Sequence, residues 1–132
     1  MRYAMMAVLV VALAGCAASP RLAVVPVVAG PAHSVKTANG PVLANARGMT
    51  LYTFDKDTPG KSNCNGKCAV NWPPLMVTPM SHLAGPWTVV TRDDGSQMWG
   101  YAGKPLYTWS KDKNPGDTTG DGVGMVWHVA RP

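Results

Sequence analysis

The chain has no glutamate and no isoleucine, and all seven of its acidic residues are aspartate. With 14 glycines and 12 prolines among 132 residues, too few strong helix formers remain for a helical domain. Charge is sparse as well: 14% of residues are charged, and the net charge is +5. Basic residues stand singly (Arg47, Lys56, Lys61, Lys67, Arg92, Lys104), and only Lys111 and Lys113 come close together. No basic stripe tracks phosphates, so nucleic acid is not an expected partner. A long apolar run is also missing. The longest, residues 4–14, would cover about 16 Å as a helix, against about 30 Å of bilayer hydrocarbon.

That short run has another reading. It follows Arg2 and ends in Leu13-Ala14-Gly15-Cys16: a positive n-region, an apolar h-region and small residues before a cysteine. This is the pattern of a lipobox, in which Cys16 is lipidated and becomes the mature N-terminus. Removing residues 1–15 leaves 117 residues at a formal charge of +4, enough for one modest core. No aspartate follows Cys16, and the resemblance to Gram-negative lipoproteins, where that absence is read as outer-membrane sorting, implies the outer membrane, with the protein facing the periplasm. Residues 16–32 carry three prolines and no period, and read as a tether. The folded domain is expected over 33–132.

The turn-rich remainder, with Val, Thr, Tyr and Trp between Gly, Pro, Asn and Asp, points to an all-β domain. Sliding the chain on itself by 55 residues reveals a repeat in one ungapped register. Val35 falls on Val90, Asn39-Gly40 on Asp94-Gly95, Gly48 on Gly103, Leu51-Tyr52-Thr53 on Leu106-Tyr107-Thr108, and Trp72 on Trp127. Asn-Gly and Asp-Gly predict type I′ hairpins. Each unit then reads as four strands, near 33–38, 41–45, 49–54 and 71–77, with counterparts near 87–92, 96–101, 104–109 and 125–130. One such unit leaves an apolar face uncovered. Two (about 33–77 and 88–132) pack into about eight short antiparallel strands with pseudo-two-fold symmetry.

The repeated motif is Tyr52-x-Phe54-x-x-Asp57 and Tyr107-x-Trp109-x-x-Asp112. Residues two apart on a strand share a face, so the aromatics are expected in the core, while each aspartate organises the loop that follows. A ligand shelf of aromatic plus carboxylate is the sharper alternative. On this motif, with GMTLYTFDKDTPGKSNCNGKCAVNWPPL at 48–75 and GDTTGDGVGMVWHV at 116–129, the chain resembles a family of small secreted or predicted lipoproteins defined by a repeated Y-x-[FWY]-x-x-D element. The resemblance implies an envelope location and a duplicated architecture, and brings no established activity with it.

Cys64 and Cys68 are the thiols left after lipidation, and in an oxidising envelope they read as a structural disulfide across a tight turn at Gly66. The second unit has Thr119 and Val123 in their places. Met76, Met80 and His82 form an MxxxMxH cluster of copper-binding type, for which gap-filling methionine is the plainer reading. Asp112, Asn114, Asp117 and Asp121 resemble a calcium loop in composition only. His33, His82 and His128 lack a nucleophile in a recognisable setting, and His128 is expected at the core edge, so no catalysis, cofactor or metal is expected. The reading is a lipid-anchored envelope protein acting as a non-catalytic binding module. Its partners are the membrane, through the anchor, and an envelope protein or small molecule. A redox or copper-handling role through Cys64/Cys68 or Met76/Met80/His82 is the alternative.

Overall fold

The computed structural model describes residues 30–78 and 84–132. The lipobox with Cys16, most of the tether, Met80 and His82 lie outside the described residues. Among the described residues there are seven strands: β1 (His33–Thr37), β2 (Gly40–Ala44), β3 (Tyr52–Phe54), β4 (Trp87–Thr91), β5 (Gln97–Tyr101), β6 (Lys104–Pro105) and β7 (Trp127–Val129). One short helix, α1 (Lys67–Asn71), and a 3-10 turn at Val123–Met125 complete the elements. The strands form antiparallel sheets β1–β2, β3–β7 and β4–β5–β6. The class is therefore all-β, built from two tandem units.

The expected eight strands become seven because residues 71–77 do not form a regular strand. Pro73 and Pro74 have no N–H to give, so that stretch can only accept, as Pro73 O does from Thr108 N. Leu75 N bonds Leu106 O at 2.9 Å and Val77 N bonds Gln97 O at 3.0 Å, which leaves an extended edge after α1. The strand expected over 104–109 is also cut short, ending at Pro105. Leu106 N still bonds Trp99 O, but Tyr107 N bonds Tyr52 O, so the chain changes partner there.

The 55-residue register needs correction too. Val35 pairs with Val42, and Val90 with Met98, so β2 maps onto β5 at an offset of 56. The first hairpin loop is one residue shorter than its counterpart and the following turn one residue longer, and the two differences cancel. Nor do the Asn-Gly and Asp-Gly turns take type I′ geometry. Gly40 (φ 88°) and Gly95 (φ 84°) are left-handed, whereas among the described non-glycine residues only Ala102 and Met125 have positive φ. The glycines thus act as bulge residues. Type I′ geometry occurs instead at Ala102-Gly103, with φ of 50° and 82°, between the paired Tyr101 and Lys104.

The units are interlocked rather than merely stacked. At the centre Tyr52 and Tyr107 exchange both backbone hydrogen bonds, at 2.8 and 3.0 Å. On its other edge, β3 of the first unit pairs with β7 of the second, Tyr52 opposite Val129 and Phe54 opposite Trp127. The equivalent stretch of the second unit pairs with the first: Tyr107 bridges Pro74, and Thr108 N bonds Pro73 O at 2.8 Å. The fourth segment of each unit therefore crosses to the third strand of the other, so the apolar face that one unit would leave bare is covered by its twin.

Strand alternation sorts the core into two clusters. Leu51 and Leu106 face one side with Leu43 and Ala130. Tyr52 and Tyr107 face the other, with Trp72, Trp127, Val42, Val90 and Met98.

Candidate functional site

The aromatics of the repeated motif form one column. Phe54 stacks on Trp127 (centroids 4.2 Å, 12° between planes), Trp127 on Trp72 (3.8 Å, 5°) and Trp72 on Trp109 (3.9 Å, 27°). The order Phe54–Trp127–Trp72–Trp109 is symmetric about its middle. Tyr52 meets Trp72 edge-on at 5.4 Å, and Tyr107 meets Trp127 the same way at 5.2 Å. The two central rings are each 4% exposed, whereas Phe54 and Trp109 at the ends are half-buried. Each well-placed aromatic pair contributes about 0.5–1.5 kcal/mol beyond its buried area.

The tyrosines and aspartates of the motif also pair across units. Tyr52 Oη donates to Asp112 Oδ2 at 2.6 Å, and Tyr107 Oη donates to Asp57 Oδ2 at 2.7 Å. The remaining oxygen of each carboxylate takes loop donors. Asp112 Oδ1 accepts from Thr119 Oγ1 (2.6 Å) and Thr119 N (3.1 Å), and Asp57 Oδ1 accepts from Asn63 N (2.7 Å). The phenol oxygens accept in turn, Tyr52 from Gly120 N at 3.2 Å and Tyr107 from Ser62 Oγ at 2.7 Å. Burial, and then the hydrogen bond to a carboxylate, push both phenols well above the ordinary tyrosine range. They stay protonated donors across neutral pH, so the interlock works as a brace. Burial also raises the Asp57 carboxyl, against the pull of the Asn63 N–H and Tyr107 hydroxyl bonds.

Several residues of this assembly carry no signal in the sequence. Arg92 stands in the sequence as one of the single basic residues, yet it is 6% exposed. Its Nη2 donates to Cys64 O at 3.2 Å and its Nη1 lies 3.5 Å from Ser62 Oγ, so a guanidinium backs the Ser62–Tyr107–Asp57 chain. Gly120 is fixed by close approach: a Cβ there would lie 2.8 Å from Trp72 Cη2 and 3.0 Å from Trp109 Cγ. A 56-residue offset, which sets Cys64 on Gly120, is the signal that could have found it.

Cys64 and Cys68 are joined, with Cα atoms 5.2 Å apart, and Cys64 is fully buried. Met76 is exposed beside its bridge to Met98, and Met80 and His82, its companions in the alternative copper reading, lie outside the described residues. The calcium-like carboxylates do not converge. Asp112 serves Tyr52, Asp117 accepts from the backbone N–H groups of Lys113 and Asn114, and Asp121 accepts from Val129 N. His128 is exposed rather than at the core edge, because β7 alternates it outward, where it meets Asp55 at 2.7 Å.

Beyond each end of the column lies an open cleft, and the two are counterparts under the repeat. Phe54, Asp55, Asp57 and Lys104 line one; Trp109, Ser110, Asp112 and Met49 occupy the same places in the other.

A duplicated, cross-braced all-β repeat protein is the class these features define. The chain belongs to the Lipoprotein_15 family, described as a secreted repeat of unknown function, which matches residues 33–76 and 88–131. A secreted family fits an extracellular or envelope location. No curated protein and no solved structure matches the chain.

Proposed function

We propose that this is a lipid-anchored envelope protein, held to the outer membrane through Cys16, whose duplicated domain is a non-catalytic binding module. Its ligand rests against the ends of the aromatic column. The observation that carries this reading is the contrast along the column: Trp72 and Trp127 are consumed by mutual stacking, while Phe54 and Trp109 each keep an outer face toward a cleft. Ligand sites commonly combine such an apolar surface with a few fixed polar groups.

The test has two arms. For anchoring, Cys16→Ser should abolish incorporation of labelled fatty acid and release the chain from the membrane fraction; a variant that still carries label removes the lipid anchor from the reading. For binding, amide and indole NMR of the detergent-solubilised chain is followed against a panel of envelope-derived glycans and peptides. Shifts centred on Phe54 or Trp109 support the module. A panel that leaves both unmoved, while copper(I) shifts Met76 and its neighbours, transfers the assignment to metal handling.

A further inference from the structure

The two clefts are lined by equivalent positions of the repeat but differ in size and charge. At the Phe54 end the lining carries Asp55, Asp57 and one cation, Lys104. At the Trp109 end Arg47 and Lys113 line a cleft of about 420 Å³, and Lys111 Nζ lies over the Trp109 ring, 5.6 Å from its centroid. Trp72 occupies the inner face of Trp109 at 3.9 Å, so Lys111 lies on the outer one.

The anion in this cleft, Asp112, is 7% exposed and turned inward, its oxygens taken by Tyr52 and Thr119. Among the described residues the ion pairs are Lys61–Asp93, Arg92–Asp94 and His128–Asp55. Arg47, Lys111 and Lys113 are in none of them. Three cations thus stand around a half-exposed indole face; Asp112 is already bound, and Asp117, beside Lys113, accepts from the backbone N–H groups of Lys113 and Asn114.

We propose that the Trp109 cleft is a site for an acidic saccharide, an inference that rests on the binding-module reading above. A sugar ring lies on the outer face of Trp109, displacing the Lys111 ammonium. Its carboxylate or phosphate is met by Arg47 and Lys113. The indole supplies a broad apolar face for the ring C–H groups, and the exposed Ser110 hydroxyl serves a ring hydroxyl. The cleft volume lies within the range of small-molecule sites. Because the cations are exposed, their contribution is screened by salt.

The experiment titrates the detergent-solubilised full chain with trigalacturonate, with neutral maltotriose and with benzoate, following indole N–H resonances. The Trp109 signal is assigned from Trp109→Phe, which keeps a ring in the column. Trigalacturonate should shift the Trp109 indole, bind at least tenfold more tightly than maltotriose, and lose at least tenfold in affinity in Lys113→Ser with Arg47→Ser. Raising NaCl to about 0.5 M should weaken it further. Lys67→Ser, on α1 and outside the cleft, should change nothing. Equal binding of maltotriose, or binding of benzoate without either sugar, overturns the acidic-saccharide assignment and leaves a binding module standing. Shifts confined to the Phe54 end overturn it likewise. Silence from all three probes overturns this inference, while the wider panel above decides the reading beneath it.

Discussion

The loops that follow the two copies of the motif reach one result by different means. In the first unit, residues 55–72 are pinned by the Cys64–Cys68 disulfide, coiled into α1 and backed by the buried Arg92, which the second unit contributes. In the second, residues 110–127 contain neither disulfide nor α-helix. They are folded by Asp117, Thr119 and Asp121 bonding to nearby backbone or to Asp112, and by Gly120 lying flat against Trp72. Both loops nevertheless set an aspartate against the tyrosine of the other unit. The two units therefore share the interlock, and the scaffold that delivers it is free to differ.

If the interlock is symmetric in energy as well as geometry, the central rings should be equivalent. Trp72→Ala and Trp127→Ala should each destabilise by about 3–5 kcal/mol, a large part of the stability of a domain this size, and by similar amounts. Phe54→Ala and Trp109→Ala should cost less, because those rings are half-exposed. Urea unfolding checks the order. A mild Trp127→Ala beside a severe Trp72→Ala would mean that one unit carries the fold and the other decorates it.

The cross-unit hydrogen bonds sharpen the comparison. Tyr52→Phe and Tyr107→Phe each remove a donor to a carboxylate, worth about 1.5–3 kcal/mol. Tyr52→Phe should lie at the upper end, since Asp112 is nearly buried and Gly120 N–H also loses its acceptor. Double-mutant cycles decide the wiring. Tyr52→Phe should couple with Asp112→Asn and not with Asp57→Asn, and Tyr107→Phe should do the reverse. Coupling within a unit would contradict the crossed arrangement.

That wiring was not legible in the sequence, although much around it was. The hairpins showed through their glycine turns and the motif through its repetition at Tyr52 and Tyr107. Self-similarity, however, is equally satisfied whether Trp127 returns to its own unit or crosses to Phe54. The pairing of β3 with β7 and of Tyr107 with Pro74 decides, and both are contacts between residues far apart in the chain. The aromatic and apolar pattern of 71–77 suggests a strand, but Pro73 and Pro74 lack the N–H donors that a regular strand needs. Arg92 was invisible for a different reason: its burial depends on Ser62 and the Cys64 carbonyl, on a loop 28–30 residues away. The clefts depend on the same crossing, since Trp109 presents its outer face only because Trp72 of the other unit takes the inner one.

A smaller effect belongs to the disulfide. A loop this short restricts the unfolded chain little, so Cys64→Ser with Cys68→Ser should cost about 2 kcal/mol by the chain-entropy argument. The loss should be local first: amide exchange should quicken over residues 61–72 and leave the second unit's loop unchanged. Equal acceleration in both loops would show that the covalent brace supports the whole interlock rather than one side of it.

The smallest expected effect concerns protons, and it tests whether the Asp57 side is as strained as its burial implies. Burial raises the folded Asp57 carboxyl above its ordinary value. In the window from about pH 4, near the unfolded aspartate value, up to that raised value, the folded chain holds more of this proton than the unfolded chain does. Stability from this group therefore increases as pH falls through the window and decreases as pH rises. The exposed carboxylates of Asp93, Asp94 and Asp117 act oppositely. The Lys61 hydrogen bond and charge lower Asp93, the Ser96 bonds lower Asp94, and the N–H groups of Asn114 and Lys113 lower Asp117. Their stabilisation is present above the unfolded value and is lost as pH falls through their lowered ones. Urea midpoints of wild type and Asp57→Asn between pH 3 and 6 isolate the Asp57 part. Asp57→Asn should look worse relative to wild type at the acid end of the Asp57 window than at pH 6, because only the wild type gains by protonation there. A difference that stays constant across the range would mean that the hydrogen bonds from Asn63 and Tyr107 fully offset the burial of the carboxylate, making the first unit's brace as relaxed as an exposed loop.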